Sequence, residues 1–242
     1  MGRPATERRE ELVLLFREAQ ACTRCPLHET RTQVVFGSGN ADADLMFVGE
    51  APGSNEDAQG VPFVGRAGKL LEELLVDNGL RRSDVFITNV LKSRPPGNRD
   101  PQPSEIDACR PYLQRQVELI EPRVVCTLGN FATKLLRADI TGITRLHGRA
   151  EVRTIGPRAV RLYPLFHPAA ALYTPRMLET LREDFARIPE LVALPEPPQP
   201  EPLEERPEPE PEAEPEPELA VPEPELAIEV AATREREQLG LF

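Results

Sequence analysis

Four cysteines place the strongest constraint on what this chain can fold into. Two residues separate Cys22 from Cys25, 83 separate Cys25 from Cys109, and 16 separate Cys109 from Cys126, and the chain has no others. We find neither a signal peptide nor an apolar run long enough to cross a membrane, so we expect a cytoplasmic protein. Thiols in a reducing compartment more often bind a metal ion or cluster than pair as disulfides. A redox dithiol and four unrelated cysteines are the alternatives, but two dispersed cysteines that complete a set of four favour cluster ligation.

The composition divides the chain near residue 190. Residues 190–242 hold 16 acidic and 3 basic side chains among many prolines, whereas residues 1–189 hold 24 acidic and 26 basic ones. The later segment buries too little apolar surface to offset the entropy of ordering it. We therefore expect one globular domain over 1–189 and a disordered, acidic linker over 190–237. Because the acidic charge belongs to the tail, it does not argue against nucleic-acid binding by the domain.

The domain alternates between strand and helix patterns. Short apolar runs predict strands within 44–53, 84–92, 123–129 and 159–168, and amphipathic spacing predicts helices near 6–20, 68–79, 104–120, 130–137 and 176–187. This alternation predicts an α/β fold with a parallel sheet covered on both faces. Ligands of such sheets bind beyond the carboxyl ends of the strands. Glu50, Asn89 and His167 follow or end three of these strands, so we expect them to meet in one crevice.

A glycine-rich loop follows the first predicted strand. Residues 49–68 hold five glycines, but Arg66 stands where a phosphate-binding loop requires lysine, which disfavours a nucleotide-binding enzyme. A need for tight turns explains the glycines and leaves Glu50, Glu56 and Phe63 in the same loop unexplained. His167 is one of three histidines, and the proline after it fixes its backbone, which favours a functional role over a structural one.

A basic loop follows the second predicted strand. Lys92, Arg94 and Arg99 lie there among prolines and a glycine. A solvated group of charges is the ordinary explanation of such a loop. A phosphate-binding edge is the functional one, and it suits a domain that is slightly positive despite the acidic tail.

Five motifs together resemble the iron–sulfur (type 4) uracil-DNA glycosylases. They are GEAPG at 49–53, QGVPFVGRAGKLL at 59–71, TNVLKSRPPGNRDP at 88–101, HPAA at 167–170, and the spaced cysteines. The resemblance covers about residues 10–187. It implies a three-layer α/β/α fold with a four-stranded parallel central sheet. It also implies a structural [4Fe–4S] cluster held by Cys22, Cys25, Cys109 and Cys126.

The resemblance implies a DNA-repair enzyme that flips deoxyuridine out of the duplex and hydrolyses its glycosidic bond. Phe63 would stack on the uracil, Asn89 would read its N3–H and O4, and His167 would donate a hydrogen bond to O2 of the departing anion. Glu50, Ala51 and Pro52 would complete the uracil pocket. Lys92, Arg94 and Arg99 would contact DNA, and Leu172 or Tyr173 would enter the vacated position. We expect a monomer that associates with the nucleoid.

The chain departs from the best-known uracil glycosylases at Ala51, where they carry an aspartate that positions water. Glu50 is our candidate for that role, with Glu56 second. A related branch traps uracil covalently on a histidine in an inserted basic loop. Residues 93–103 contain no histidine, so we expect turnover without a covalent adduct.

Two other functional classes compete with the glycosylase. One is a non-catalytic iron–sulfur or zinc DNA-binding module on the same fold, and the other is an electron-transfer protein. Neither accounts for Phe63, Asn89 and His167 together with the cysteines. The chain ends in QLGLF at 238–242, which resembles a bacterial sliding-clamp binding peptide on a long acidic tether. A frayed apolar terminus is the alternative there.

Overall fold

The computed structural model describes residues 3–200. Its strands are β1 (Ser38–Gly39), β2 (Leu45–Gly49), β3 (Phe86–Asn89), β4 (Val124–Leu128), β5 (Glu151–Ile155) and β6 (Arg158–Leu165). Its helices are α1 (Ala5–Ala21), α2 (Ser54–Gln59), α3 (Arg66–Asp77), α4 (Pro103–Ile120), α5 (Asn130–Arg137), α6 (Ile143–Leu146), α7 (Pro168–Ala171), α8 (Pro175–Ala186) and α9 (Ile188–Ala193). Short 3₁₀ turns lie at Pro26–His28 and Pro96–Asn98.

The strands form one mixed sheet in the order β1-β3-β2-β4-β6-β5. The α/β class predicted from the sequence is confirmed, and β3, β2, β4 and β6 are parallel neighbours. The prediction of a four-stranded sheet was incomplete, because β1 and β5 add antiparallel edges to β3 and β6. β1 is only two residues long, and β5 joins β6 through a tight turn in which Gly156 has a φ of +59°. Neither edge strand has a long apolar run that sequence patterns detect.

Alternate residues of the central strands supply two separate hydrophobic cores. Met46 and Val48 of β2 pack in the core formed with α1, α4 and α5. Leu45 and Phe47 pack in the opposite core, formed with α3, α7, α8 and α9. Every residue of β2 is buried, as a central strand covered on both faces requires. The fold therefore has three layers, with the carboxyl ends of the parallel strands at one edge.

Lys92 lies inside the domain and not on an exposed basic loop. Its residue is 2 % exposed, and its Nζ donates hydrogen bonds to Thr88 Oγ1 (2.7 Å), the Asn89 carbonyl oxygen (2.7 Å) and Gln116 Oε1 (2.6 Å). Burial lowers the pKa of Lys92 to about 7. The structure thus corrects the expectation that Lys92 contacts DNA: its amine ties the end of β3 to α4.

The chain remains packed on the domain beyond the boundary that the composition suggested. α9 extends past residue 190, and the following segment lies along β6. There the Gln199 side chain accepts from the Ala159 N–H and donates to the Ala159 carbonyl, at 3.1 and 3.0 Å. The rest of the predicted linker and the terminal peptide at 238–242 fall outside the described residues. Within residues 3–200, no helix is both long and apolar enough to span a bilayer.

We predict that Lys92→Met lowers the free energy of unfolding by about 3 kcal/mol, because it leaves buried oxygen acceptors without a donor. Lys69→Met, at an exposed position of α3, is the matched control and should change stability by less than about 0.5 kcal/mol. Denaturant unfolding followed by circular dichroism measures both. Equal stability of the two variants would show that the buried amine does not hold β3 to α4.

Candidate active site

A cavity of about 440 Å³ opens at the carboxyl ends of the parallel strands. The structure brings to its wall the uracil-site residues that the sequence proposed, namely Glu50, Ala51, Pro52, Glu56, Phe63, Asn89 and His167. A second cavity of about 640 Å³ shares Glu50 and His167 and extends toward α5. Residues from three distant parts of the chain therefore meet in one crevice, as the strand pattern predicted.

Phe63 forms one wall of the cavity in a fixed orientation. Its ring faces the His167 imidazole, with the ring centroids 5.8 Å apart and the planes at 25°. Its backbone has a φ of +53°, which is unfavourable for an aromatic residue and requires support from its surroundings. Gly68 permits the close approach of α3, since a Cβ there would lie 1.8 Å from the Phe63 carbonyl oxygen, and Arg82 donates to that oxygen at 3.2 Å. The aromatic wall is thus present before any ligand arrives.

Asn89 is held at the end of β3 with its amide in the cavity. It is 2 % exposed, its carbonyl accepts from Lys92, and it pairs in parallel register with Gly49 of β2. A Cβ at Gly49 would lie 2.3 Å from Asn89 Oδ1 and 2.7 Å from Phe63 Cζ. The missing side chain at Gly49 therefore makes the space in which the amide and the aromatic ring stand side by side.

The His167 imidazole is a neutral hydrogen-bond donor. His167 is the N-cap residue of α7, and its Nδ1 accepts the Ala169 N–H at 3.0 Å. The neutral ring then carries its proton on Nε2. Burial lowers the pKa of His167 to about 4, although the nearby Glu56 carboxylate partly opposes this shift. The ring therefore stays uncharged at neutral pH.

Two carboxylates line the cavity, and they have different surroundings. Glu56 Oε1 accepts the N–H groups of Val64 and Gly65, both at 3.0 Å, so this side chain holds the loop that carries Phe63. Glu50 lines both cavities beside His167. Burial, with a smaller contribution from the Asp100 charge, raises the pKa of Glu50. Of the two carboxylates, Glu50 is therefore the one that is not engaged in holding this loop.

Among the residues proposed for DNA contact, Arg99 lines the cavity, Arg94 contacts the cavity residue Asn98, and Leu172 lines a separate pocket beside α3 and α8. Arg99 lines the cavity and forms two hydrogen bonds to the buried Glu105, and Arg94 Nε donates to Asn98 Oδ1 at 2.7 Å. Leu172 is half-buried against the α3–α8 core.

Beside Leu172, Tyr173 is 74 % exposed and receives a hydrogen bond from Arg66 Nη1 at 3.2 Å. Of the two candidate wedge residues, Tyr173 is therefore the one that projects into solvent.

The structure brings together three of the four cysteines. Cys109 belongs to the core between the sheet, α1 and α4, and the half-buried Cys22 and Cys25 pack against that core. Burial raises the pKa of the Cys109 thiol, the Lys92 backbone N–H opposes this, and the nearby Cys25 and Cys22 add to it. Cys126 belongs to the opposite core, where burial alone raises its pKa. The four-cysteine set inferred from spacing is therefore not assembled on one side of the sheet.

Several residues that shape the site were missed by the sequence analysis. Arg82 supports Phe63 from 19 positions away, and no local pattern connects the two. Ala169 fixes the tautomer of His167 through its backbone, which no side chain reveals. The sequence does carry a signal that could have revealed this contact, because a polar residue before a proline at the start of a helix often accepts a backbone N–H.

An aromatic ring, a buried amide and a neutral imidazole at the carboxyl ends of parallel strands form, in an α/β fold, a crevice whose chemistry suits a planar, hydrogen-bonding ring such as a nucleobase. Residues 36–188 match the model of the uracil DNA glycosylase superfamily. The chain belongs to this superfamily.

Curated relatives agree with the family assignment. The type-4 uracil-DNA glycosylase of Archaeoglobus fulgidus is 48% identical over 193 residues, which cover 78% of this chain and 96% of the relative. That of Sulfurisphaera tokodaii is 45% identical, covering 77% and 87%. That of Thermotoga maritima is 47% identical, covering 68% and 85%.

We predict that Gly49→Ala lowers glycosylase activity on uracil-containing DNA at least about 100-fold, because the new methyl group displaces the Asn89 amide and the Phe63 ring. Gly142→Ala is the control, since its Cβ would approach no atom closer than 3.8 Å. Kinetics of uracil release and thermal unfolding should be measured on both. Full activity of a folded Gly49→Ala protein would contradict the described site geometry.

Proposed function

We propose that this chain is a uracil-DNA glycosylase that hydrolyses the N-glycosidic bond of deoxyuridine in DNA, releasing uracil and leaving an abasic site. The observation that carries the proposal is the neutral His167 imidazole, which lines the same cavity as the Phe63 ring and the Asn89 amide. The names of the relatives support the same activity.

The pocket suits uracil and disfavours cytosine. The Asn89 amide oxygen accepts from N3–H, and its NH₂ group donates to O4. Cytosine presents the opposite polarity at both positions, which would leave two buried polar groups mispaired. Thymine presents the same N3–H and O4 groups as uracil, so these two hydrogen bonds do not distinguish the two bases. Separately, an unpaired or mispaired nucleotide costs less to flip out of the duplex. Phe63 stacks on the flipped ring.

His167 stabilises the leaving group. Cleavage of the glycosidic bond puts negative charge on uracil and positive charge on the sugar. A neutral Nε2–H aimed at O2 stabilises the developing anion without transferring a full proton to it. The hydrogen bond from Ala169 fixes the ring in the tautomer that donates. The donor is thus in place before the substrate binds, which lowers the reorganisation needed in the transition state.

Glu50 orients the attacking water. Ala51 supplies no carboxylate, Glu56 is engaged with the Val64 and Gly65 amides, and Glu50 lies beside His167 between the two cavities. A carboxylate there also opposes the positive charge on the sugar. Its raised pKa requires that the pH exceed that pKa for the reactive, ionised form to predominate.

We further propose an iron–sulfur cluster at Cys22, Cys25 and Cys109. The donor set fits in part: three thiols share one core, and no group of three or more Cys, His, Asp or Glu side chains within residues 3–200 is close enough for a single metal ion. A cluster is wider than one ion, so its ligands stand further apart. When bound, it would join the end of α1 to α4 and stabilise the fold.

Asn89→Asp tests whether the Asn89 amide recognises uracil. We predict that the carboxylate, which accepts but does not donate when ionised, lowers uracil release at least about 100-fold and narrows the ratio of uracil to cytosine cleavage. Single-turnover assays on oligonucleotides that differ only in that base measure the ratio. An unchanged ratio would remove Asn89 from recognition.

The variants Glu50→Gln and Glu56→Gln distinguish the roles of the two carboxylates. We predict that Glu50→Gln lowers kcat about 100-fold with little change in KM, whereas Glu56→Gln keeps an oxygen acceptor for the loop and stays within several-fold of the parent. In the parent, kcat should rise with pH through the raised Glu50 pKa, and this rise should be absent from Glu50→Gln. The reverse ranking of the two variants would assign water activation to Glu56.

The terminal peptide at 238–242 is proposed to bind a bacterial sliding clamp. It lies outside the described residues, and its support is the sequence QLGLF at the end of an acidic segment that DNA would repel. We predict that deleting 238–242 abolishes clamp binding in a pull-down and leaves uracil release from short DNA unchanged. Clamp binding that survives the deletion would refute this assignment.

A further inference from the structure

The fourth cysteine cannot complete a cluster with the other three. Cys126 lies in the middle of β4, paired in register with Phe47 of β2 and Tyr163 of β6. All three side chains belong to the core that contains α3 and α8, on the opposite face of the sheet from Cys22, Cys25 and Cys109. Turning Cys126 over would need a one-residue slip of β4, which would also reverse every apolar side chain of that strand.

A buried serine lies close to Cys109 and to the segment that leads to Cys22. Ser93 is 4 % exposed, and it follows Lys92, whose backbone N–H hydrogen-bonds to the Cys109 thiol. Arg31 Nη1 donates to Ser93 Oγ at 3.3 Å, and Nη2 of the same arginine donates to the carbonyl of Gln20, two residues before Cys22. Ser93 is therefore placed between the Cys109 end of α4 and the segment that carries Cys22 and Cys25.

The backbone keeps Ser93 in that position. The Val35 N–H donates to the Lys92 carbonyl at 2.8 Å, so the segment after the Cys22–Cys25 loop runs beside residues 92 and 93. The buried Lys92 side chain fixes the same segment from the other side through Thr88 and Gln116. The buried Ser93 hydroxyl is thereby held beside the segments that carry the three thiols.

We propose that the cluster site of this chain consists of Cys22, Cys25 and Cys109 with the Ser93 hydroxyl at the fourth corner, and that Cys126 is not a ligand. This inference rests on the proposal that the chain holds an iron–sulfur cluster. Iron in such clusters prefers soft thiolate ligands, and a serine oxygen is a harder and weaker donor. The iron at the Ser93 corner is therefore the one that a chelator removes first.

Two pairs of variants test the ligand set. Cys109→Ala and Cys126→Ala make the same chemical change at two buried cysteines, one on each face of the sheet. Ser93→Cys supplies a fourth thiolate, and Ser93→Ala removes the hydroxyl. Each full-length protein is reconstituted anaerobically with iron and sulfide. Bound iron, bound sulfide, visible absorbance and the rate of iron loss to a ferrous chelator are then measured.

We expect Cys126→Ala to keep the iron, sulfide and release rate of the parent, and Cys109→Ala to lose bound iron. We expect Ser93→Cys to slow loss of the first iron severalfold and Ser93→Ala to speed it. Loss of iron from Cys126→Ala would overturn the inference, as would a release rate that both Ser93 variants leave unchanged. Circular dichroism identifies unfolded variants, and the Ser93 and Cys126 variants still decide the matter if Cys109→Ala does not fold.

Uracil release from an oligonucleotide is assayed on the same samples. Iron results as expected, without uracil release by the parent, would refute the proposed glycosylase and leave the ligand set standing. A folded parent protein that releases uracil but binds no iron after reconstitution would overturn both the cluster and its ligands, and would leave the glycosylase in place.

Discussion

The parallel pairing of β2 with β3 is the contact on which the site depends. It sets Gly49 opposite Asn89, so that a residue without a side chain faces the amide that we propose reads the base. The space left by Gly49 also admits the Phe63 ring. The strands continue into the segments that carry Glu50 and Lys92, and the Lys92 amine returns to the Asn89 carbonyl. A shift of this register by one residue would turn the Asn89 amide away from the cavity.

The pKa values of the ionisable side chains in the cavity are shifted by burial more than by pairing with opposite charges. Burial keeps His167 neutral, and its Nδ1 contact with Ala169 leaves Nε2–H as the donor. Burial also raises the pKa of Glu50, which lies on the other side of the reacting bond in the proposed mechanism. A neutral donor at the departing base and a carboxylate near the sugar match the charges that bond cleavage creates. The two roles thus come from two environments in one crevice.

Much of this arrangement was predictable from the sequence, and the exceptions have physical causes. Strand ends located Glu50, Asn89 and His167, because parallel strands end at a common edge. A run of basic residues in a loop does not reveal which way each side chain points. Lys92 was therefore predicted to face DNA, although it is buried. Spacing grouped Cys126 with the other cysteines, but the alternation of side chains along β4 sends it to the opposite face. Local patterns do not encode contacts such as that of Arg82 with Phe63.

The most direct test of the account is single-turnover uracil release between pH 5.5 and 8.5, compared between the parent and His167→Ala. We predict a ratio of parent to variant rates that stays constant over this range, because His167 remains neutral above its pKa of about 4. Titration of Glu50 affects both proteins and cancels in the ratio. A ratio that rises severalfold as the pH falls through 6.5 would mean that a charged imidazole is the donor, and would contradict the account.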